Sequence, residues 1–98
     1  HLGCGENELK KLNISQNALL TQLDCRNNKL KNLDVSQNTL LNYLDCDNNK
    51  LTRLDLNNNI LLTRLFCRDN KLTSLDLRNN KAIMYPSFER NNFDKPIR

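Results

Sequence analysis

Four cysteines stand at positions 4, 25, 46 and 67, at one even spacing. Thiols are the side chains here best suited to hold zinc or form disulfides. Zinc asks for ligands that converge tetrahedrally, commonly from close Cys-x-x-Cys pairs. Thiols spaced evenly in this way form a straight column in a chain that coils with the same period. A disulfide needs Cβ atoms about 3.8 Å apart in a crossed geometry, whereas in-register parallel strands hold neighbours about 4.8 Å apart. The expectation is four free, inward-facing thiols packing as small hydrophobes, with no metal and no cofactor. The single histidine is His1, so no Cys-His or Ser-His-Asp constellation can be assembled, and no phosphate loop is present. The chain is not expected to be an enzyme.

Outward positions carry the remaining chemistry. One series reads Asn13, Asp34, Asp55 and Asp76, flanked by Lys11, Asn32, Arg53 and Ser74. Stacked carboxylates repel and could form a calcium ladder, but calcium-binding β-helix repeats are glycine-rich and this chain has two glycines. Solvated aspartates balanced by Arg53 and Arg78 are the better reading. The other series carries Gln22, Tyr43, Arg64 and Tyr85, then Asp24, Asp45 and Phe66, then Arg26, Asp47 and Arg68. Exposed Tyr, Phe and Arg in one patch are the material of interface hot spots. The expected partner-binding set is therefore Gln22, Asp24, Arg26, Tyr43, Asp45, Asp47, Arg64, Phe66 and Arg68, with Tyr43, Arg64, Phe66 and Arg68 as neighbours. A competing expectation has Phe66 and Tyr85 packed beneath the C-terminal segment.

These positions follow from a repeat. Residues 44–64 contain nearly the same phrase twice, Leu-x-apolar-x-x-Asn-x-Leu, and the chain from Leu2 to Ile83 is four copies of that 21-residue unit. A short fixed period of this kind is the mark of a solenoid. The first column is Leu2, Leu12, Leu23, Leu33, Leu44, Leu54, Leu65 and Leu75; the second alternates Cys4, Ile14, Cys25, Val35, Cys46, Leu56, Cys67 and Leu77. Asparagine is unbroken at 7, 17, 28, 38, 49, 59, 70 and 80, and two residues later come Leu9, Leu19, Leu30, Leu40, Leu51, Leu61, Leu72 and Ala82. Leu-x-apolar alternates with period two, which predicts strands of about three residues. Asn-rich stretches turn the chain after each one. Two phrases per unit predict two short strands per coil, on opposite sides, and so two narrow parallel sheets. The asparagine column should satisfy backbone groups at the turns. After Asn80 the pattern fails, and Pro86 and Pro96 exclude regular continuation. Residues 84–98 are expected as a C-terminal cap or the start of a following segment, with 1–83 as the solenoid.

Leu and Asn supply 20 and 18 of the 98 residues. So polar a composition would suit a disordered chain, but their fixed columns require a fold. Residues 1–80 carry 11 basic and 9 acidic groups, unlike the basic stripe of a nucleic-acid binder. No apolar run approaches a membrane span.

The phrase Leu-x-x-Leu-x-(Leu/Cys)-x-x-Asn-x-Leu, met at Leu41–Leu51, resembles the leucine-rich repeat signature over about residues 1–83. The 21-residue units nesting two such phrases are similar to the short repeats of bacterial surface and secreted proteins. The resemblance implies a β-rich solenoid of four coils with little helix, arched right-handedly. It also implies a protein-binding face, no catalysis and an exported bacterial origin. Two departures stand out: the usual N-terminal cap is absent, and Phe66 occupies a position where Asp is expected. The function expected is a protein–protein interaction module. The alternative is a structural array segment that self-associates, as a homodimer for example, through strand edges of its first coil. Glycan binding at the Tyr43 surface is a more distant third.

Overall fold

The computed structural model describes residues 1–98. The coils run parallel and in register: β1 (Leu2–Gly3), β2 (Gln22–Asp24), β3 (Tyr43–Asp45) and β4 (Arg64–Phe66) form one sheet in the order β1-β2-β3-β4. Leu23 pairs with Leu44 and Leu44 with Leu65, so each rung repeats the one before it, one sequence unit later. The ladder extends past the strands, with Cys25 N–H donating to Asp45 O and Asn27 N–H to Asp47 O, both at 2.9 Å. Glu6, Asn27, Asn48, Asp69 and Arg90 then turn the chain with φ between 54° and 61°. Asn and Asp tolerate this left-handed conformation best among residues with a side chain.

The core is a single column of Leu, Ile, Val and Cys side chains enclosed by successive coils. Asparagines hold its corner. Asn28, Asn49, Asn70 and Asn91 each donate from Nδ2 to the carbonyl three residues back and to the one 24 residues back, and each Oδ1 accepts an amide from the preceding coil. Carbonyls and amides that would otherwise be buried unpaired are thereby satisfied, and adjacent coils are joined.

The expected second sheet does not form. Residues 33–41 turn on themselves instead, with Asn38 N–H donating to Val35 O and Leu41 N–H to Asn38 O. Asp34 further tightens the bend by accepting from Ser36 N–H at 2.9 Å. With the backbone committed locally, the inter-coil link on this side passes through side chains: Asn38 Nδ2 donates to Ile14 O and Asn17 O, and Asn59 and Asn80 repeat the arrangement.

This second turn also consumes one more residue, which shifts the last apolar column. Leu20, Leu41 and Leu62 are buried, while Leu19, Leu40 and Leu61, the expected inward residues, are exposed. The half-unit from Leu33 to Leu44 is one residue longer than that from Leu23 to Leu33, and the additional residue sits here.

Residues 85–98 carry the hydrogen-bond pattern onward in modified form. Cys67 N–H donates to Ser87 O, Asp69 N–H to Glu89 O and Asn92 N–H to Leu72 O. Phe88 stands one repeat beyond Cys67, where the coils above place cysteine, and packs with Phe93 and Ile97 against the last coil. The Phe88 and Phe93 rings meet edge-on at 6.0 Å.

Candidate functional site

The outward side of the sheet gathers the sequence-selected residues into one cluster. Alternation along each three-residue strand turns Leu23, Leu44 and Leu65 inward and their neighbours outward, and the in-register pairing stacks like positions. Tyr43 is therefore opposite Arg64, and Asp45 opposite Phe66. The Tyr43 and Phe66 rings lie 5.8 Å apart and tilted by 50°. The Arg64 guanidinium stands 5.8 Å from the Tyr43 ring centre and 5.4 Å from that of Phe66, and Arg68 is 5.9 Å from the latter. These are cation–π distances, so the four side chains hold one another in place. Tyr85 does not join them: it is 89% exposed, and the expectation that it packs beneath the C-terminal segment is not met.

Charge is ordered beneath and beside the rings. Arg68 donates from Nε and Nη2 to Asp47 Oδ2 at 3.0 and 2.6 Å, while its backbone N–H donates to Oδ1. Such charge-assisted bonds fix geometry as well as contributing energy, and this one raises the Arg68 pKa. Arg26 spans two rungs, 3.4 Å from Asp24 and 3.9 Å from Asp45. Two of the expected contact residues are not available at the surface: Asp45 and Asp47 are only 4% and 8% exposed. They lie in the floor of the cluster, close to Arg26 and Arg68. Burial pushes the Asp45 carboxyl upward; the hydrogen bond from the Asp47 amide opposes this, the Asp47 and Asp24 charges add to it, and Arg26 again opposes. Tyr43 is raised by burial and by Asp45 and Asp24. The surface offered is thus Gln22, Asp24, Arg26, Tyr43, Arg64, Phe66 and Arg68.

The cysteine column runs inside this sheet. Cys25, Cys46 and Cys67 are buried, Cys4 is half-buried, and all four thiols are free. Burial pushes Cys25 and Cys67 up to about 12 and Cys46 well above its ordinary value. A buried neutral thiol is a poor nucleophile and a poor ligand. Across the molecule Asp34, Asp55 and Asp76 each accept the amide two residues onward, and Asp76 is further clamped by Arg78. Those carboxylates shape turns, and Asp76 is lowered to about 2, first by the Arg78 side chain. Lys11, named from the sequence beside Asn13, lines a common groove with Lys10, Lys29, Lys31 and Lys50, which were not singled out there. The groove's signal was the recurrence of lysine at 29, 50 and 71 and at 10 and 31, one coil apart.

No protein-family profile matches the chain, and no curated protein does. Solved structures do. The functional domain of InlJ from Listeria monocytogenes, which includes a cysteine ladder, is 27% identical over 96% of this chain with a TM-score of 0.75. A leucine-rich repeat protein of Leptospira interrogans is 24% identical over 98% of this chain, with a TM-score of 0.90 showing the same fold. This chain spans 26% of the length of each of those proteins. Four parallel 21-residue coils, an inward cysteine column, an asparagine ladder and these likenesses give the chain a leucine-rich repeat solenoid fold, similar to that of these bacterial proteins.

Proposed function

We propose that this solenoid is a protein-recognition module that engages its partner with the outward side of the sheet. The observation that carries the reading is the Tyr43–Phe66–Arg64–Arg68 cluster, aromatic area held rigid by cation–π contacts and by the Arg68–Asp47 pair. Pre-organised aromatic and Arg side chains lose little entropy on binding, which is why they dominate hot spots. Asp24 and Arg26 form a polar rim beside them. The likeness to bacterial leucine-rich repeat proteins supports placing the chain at the surface of, or secreted from, a bacterium. No helix is long and apolar enough to cross a membrane.

The test is capture of partners from extracellular host and bacterial protein extracts. Wild type is compared with Tyr43→Ala/Arg64→Ala/Phe66→Ala, after the variant is shown to melt as wild type does. A partner kept by the wild type and lost by the variant supports the module and its face. A partner indifferent to all three changes overturns the face.

A second reading rests on a separate observation. Leu2, Cys4, Leu9 and Leu12 are only partly buried, so one face of the first coil leaves core side chains and β1 uncovered. Another copy of the chain, or a preceding coil of a longer chain, would fit that surface. A molar mass by light scattering that rises with concentration, and stops rising when a capping coil is fused ahead of Leu2, supports self-association; a constant monomer mass refutes it.

A further inference from the structure

The lysines that share a groove come from three successive coils: Lys10 and Lys11 from the first, Lys29 and Lys31 from the second, Lys50 from the third. All five are exposed. Only Lys29 has an acidic partner, Glu8 at 3.8 Å. The one carboxylate in the lining, Asp34, is held by the Ser36 hydroxyl and amide at 2.6 and 2.9 Å. The five lysines thus share an opening of about 690 Å³ with two carboxylates, Asp34 in the lining and Glu8 beside Lys29, which leaves cationic charge in excess. Like charges gathered on one low-dielectric surface raise the local concentration of anions. None of the sheet residues assigned to partner recognition lines this groove.

We propose that the groove binds a linear anionic polysaccharide, one carrying sulfate or carboxylate groups along its chain. The lysines recur at the coil repeat, Lys10 with Lys31 and Lys29 with Lys50, on rungs about 4.8 Å apart. A ligand with charges repeated along its length matches such a series, and a single small anion does not fill it. Lysine offers a hydrated point charge on a flexible stem, without the bidentate fork by which Arg reads phosphates and base edges. No aromatic residue and no Arg lines the groove, so it has no stacking platform for nucleic-acid bases. Leu12 is its one apolar residue, which leaves no anchor for an acidic protein surface. Solvated sulfate and carboxylate groups need neither.

The test uses the 98-residue chain and a size-defined heparin fragment as probe, by titration calorimetry at several salt concentrations. Two variants remove the same charge: Lys10→Gln/Lys31→Gln/Lys50→Gln within the groove, and Lys81→Gln/Lys95→Gln/Arg98→Gln outside it and outside the lysine series. All six positions are exposed, and matching melting curves establish that both variants fold. The wild type should bind the fragment with an affinity that falls as salt rises. The groove variant should bind on the order of tenfold more weakly, as three solvated charge pairs imply, with a shallower salt dependence. The outside variant should lose about threefold or less. Desulfated heparin should compete weakly, and a DNA duplex of equal charge should compete less well than the fragment. Equal loss in the two variants would reduce the effect to net charge and overturn the proposal. So would no binding of the fragment, or preferential binding of the duplex or of inorganic sulfate.

Discussion

Replacing Asn49 with Ala should remove a large part of the solenoid's stability. Its Nδ2 donates to Cys25 O and Cys46 O at 3.1 Å each, and its Oδ1 accepts Leu30 N–H at 3.1 Å. Cys25 O keeps a second donor in Asn28, and Cys46 O keeps one in Asn70, so the carbonyls lose one bond each without being orphaned. The Leu30 amide loses its acceptor in a fully buried residue. An orphaned buried amide costs about 1–3 kcal/mol, and two further bonds about 1 kcal/mol each, for a total of about 3–5 kcal/mol. That is a large fraction of the roughly 5–15 kcal/mol that holds a domain folded. Asn7 supplies the internal comparison. It occupies the same column but is exposed, and its Nδ2 donates only to Cys4 O and Gly5 O. Asn7→Ala should cost about 1 kcal/mol or less. Urea unfolding at neutral pH, followed by far-ultraviolet circular dichroism, measures both. The Asn49→Ala midpoint should fall well below that of Asn7→Ala with the slope unchanged, since the surface exposed on unfolding is the same. Equal midpoints for the two variants would refute the ladder as the element that joins the coils.

Other consequences can be checked on the same material. Leu41→Ala should cost about 2–5 kcal/mol by opening a cavity, and Leu40→Ala, one residue earlier and 39% exposed, under about 1 kcal/mol; comparable losses would restore the sequence-derived column. A thiol reagent at pH 8 should label Cys4 first and Cys25, Cys46 and Cys67 only on unfolding, because burial keeps those three protonated. Since Cys25 and Cys67 rise from 9.0 to about 12 in the fold, the stability they contribute is intact below pH 9 and is lost as pH climbs toward 12. Alkaline unfolding should therefore shift to higher pH in Cys25→Ala/Cys67→Ala, relative to that variant's own stability at pH 7. Asp45 is likewise raised above 3.8, so its folded form favours the proton and stability falls as pH rises through the folded value. Asp45→Asn should gain stability over wild type at pH 7, the gain vanishing near pH 3; a gain that persists at pH 3 would show that charge is not its source.

The sequence alone determined the period, the coil, the inward Leu and Cys columns of the sheet side and the chemistry of the sheet face. A repeat writes the same environment once in every unit, so Leu23, Cys25 and Asn28 could be read from their copies without knowing what touched them. Tyr43, Arg64, Phe66 and Arg68 could be placed together because in-register stacking follows from equal repeat lengths. Tertiary structure decided what depends on competition between neighbours. Two nearly identical phrases diverge into a strand and a pair of turns, because the amides of Asn38 and Leu41 bond within their own coil rather than to the next. The inward leucine moves from Leu40 to Leu41 for the same reason, as the extra residue of the longer half-unit is taken up in that bend. Asp45 and Asp47 point to the outward side but are covered by side chains one rung away, a relation that spacing alone does not express. Lysines far apart in the chain meet in one groove because the coil closes between them. Columns follow from period; which side chain covers which follows only from packing.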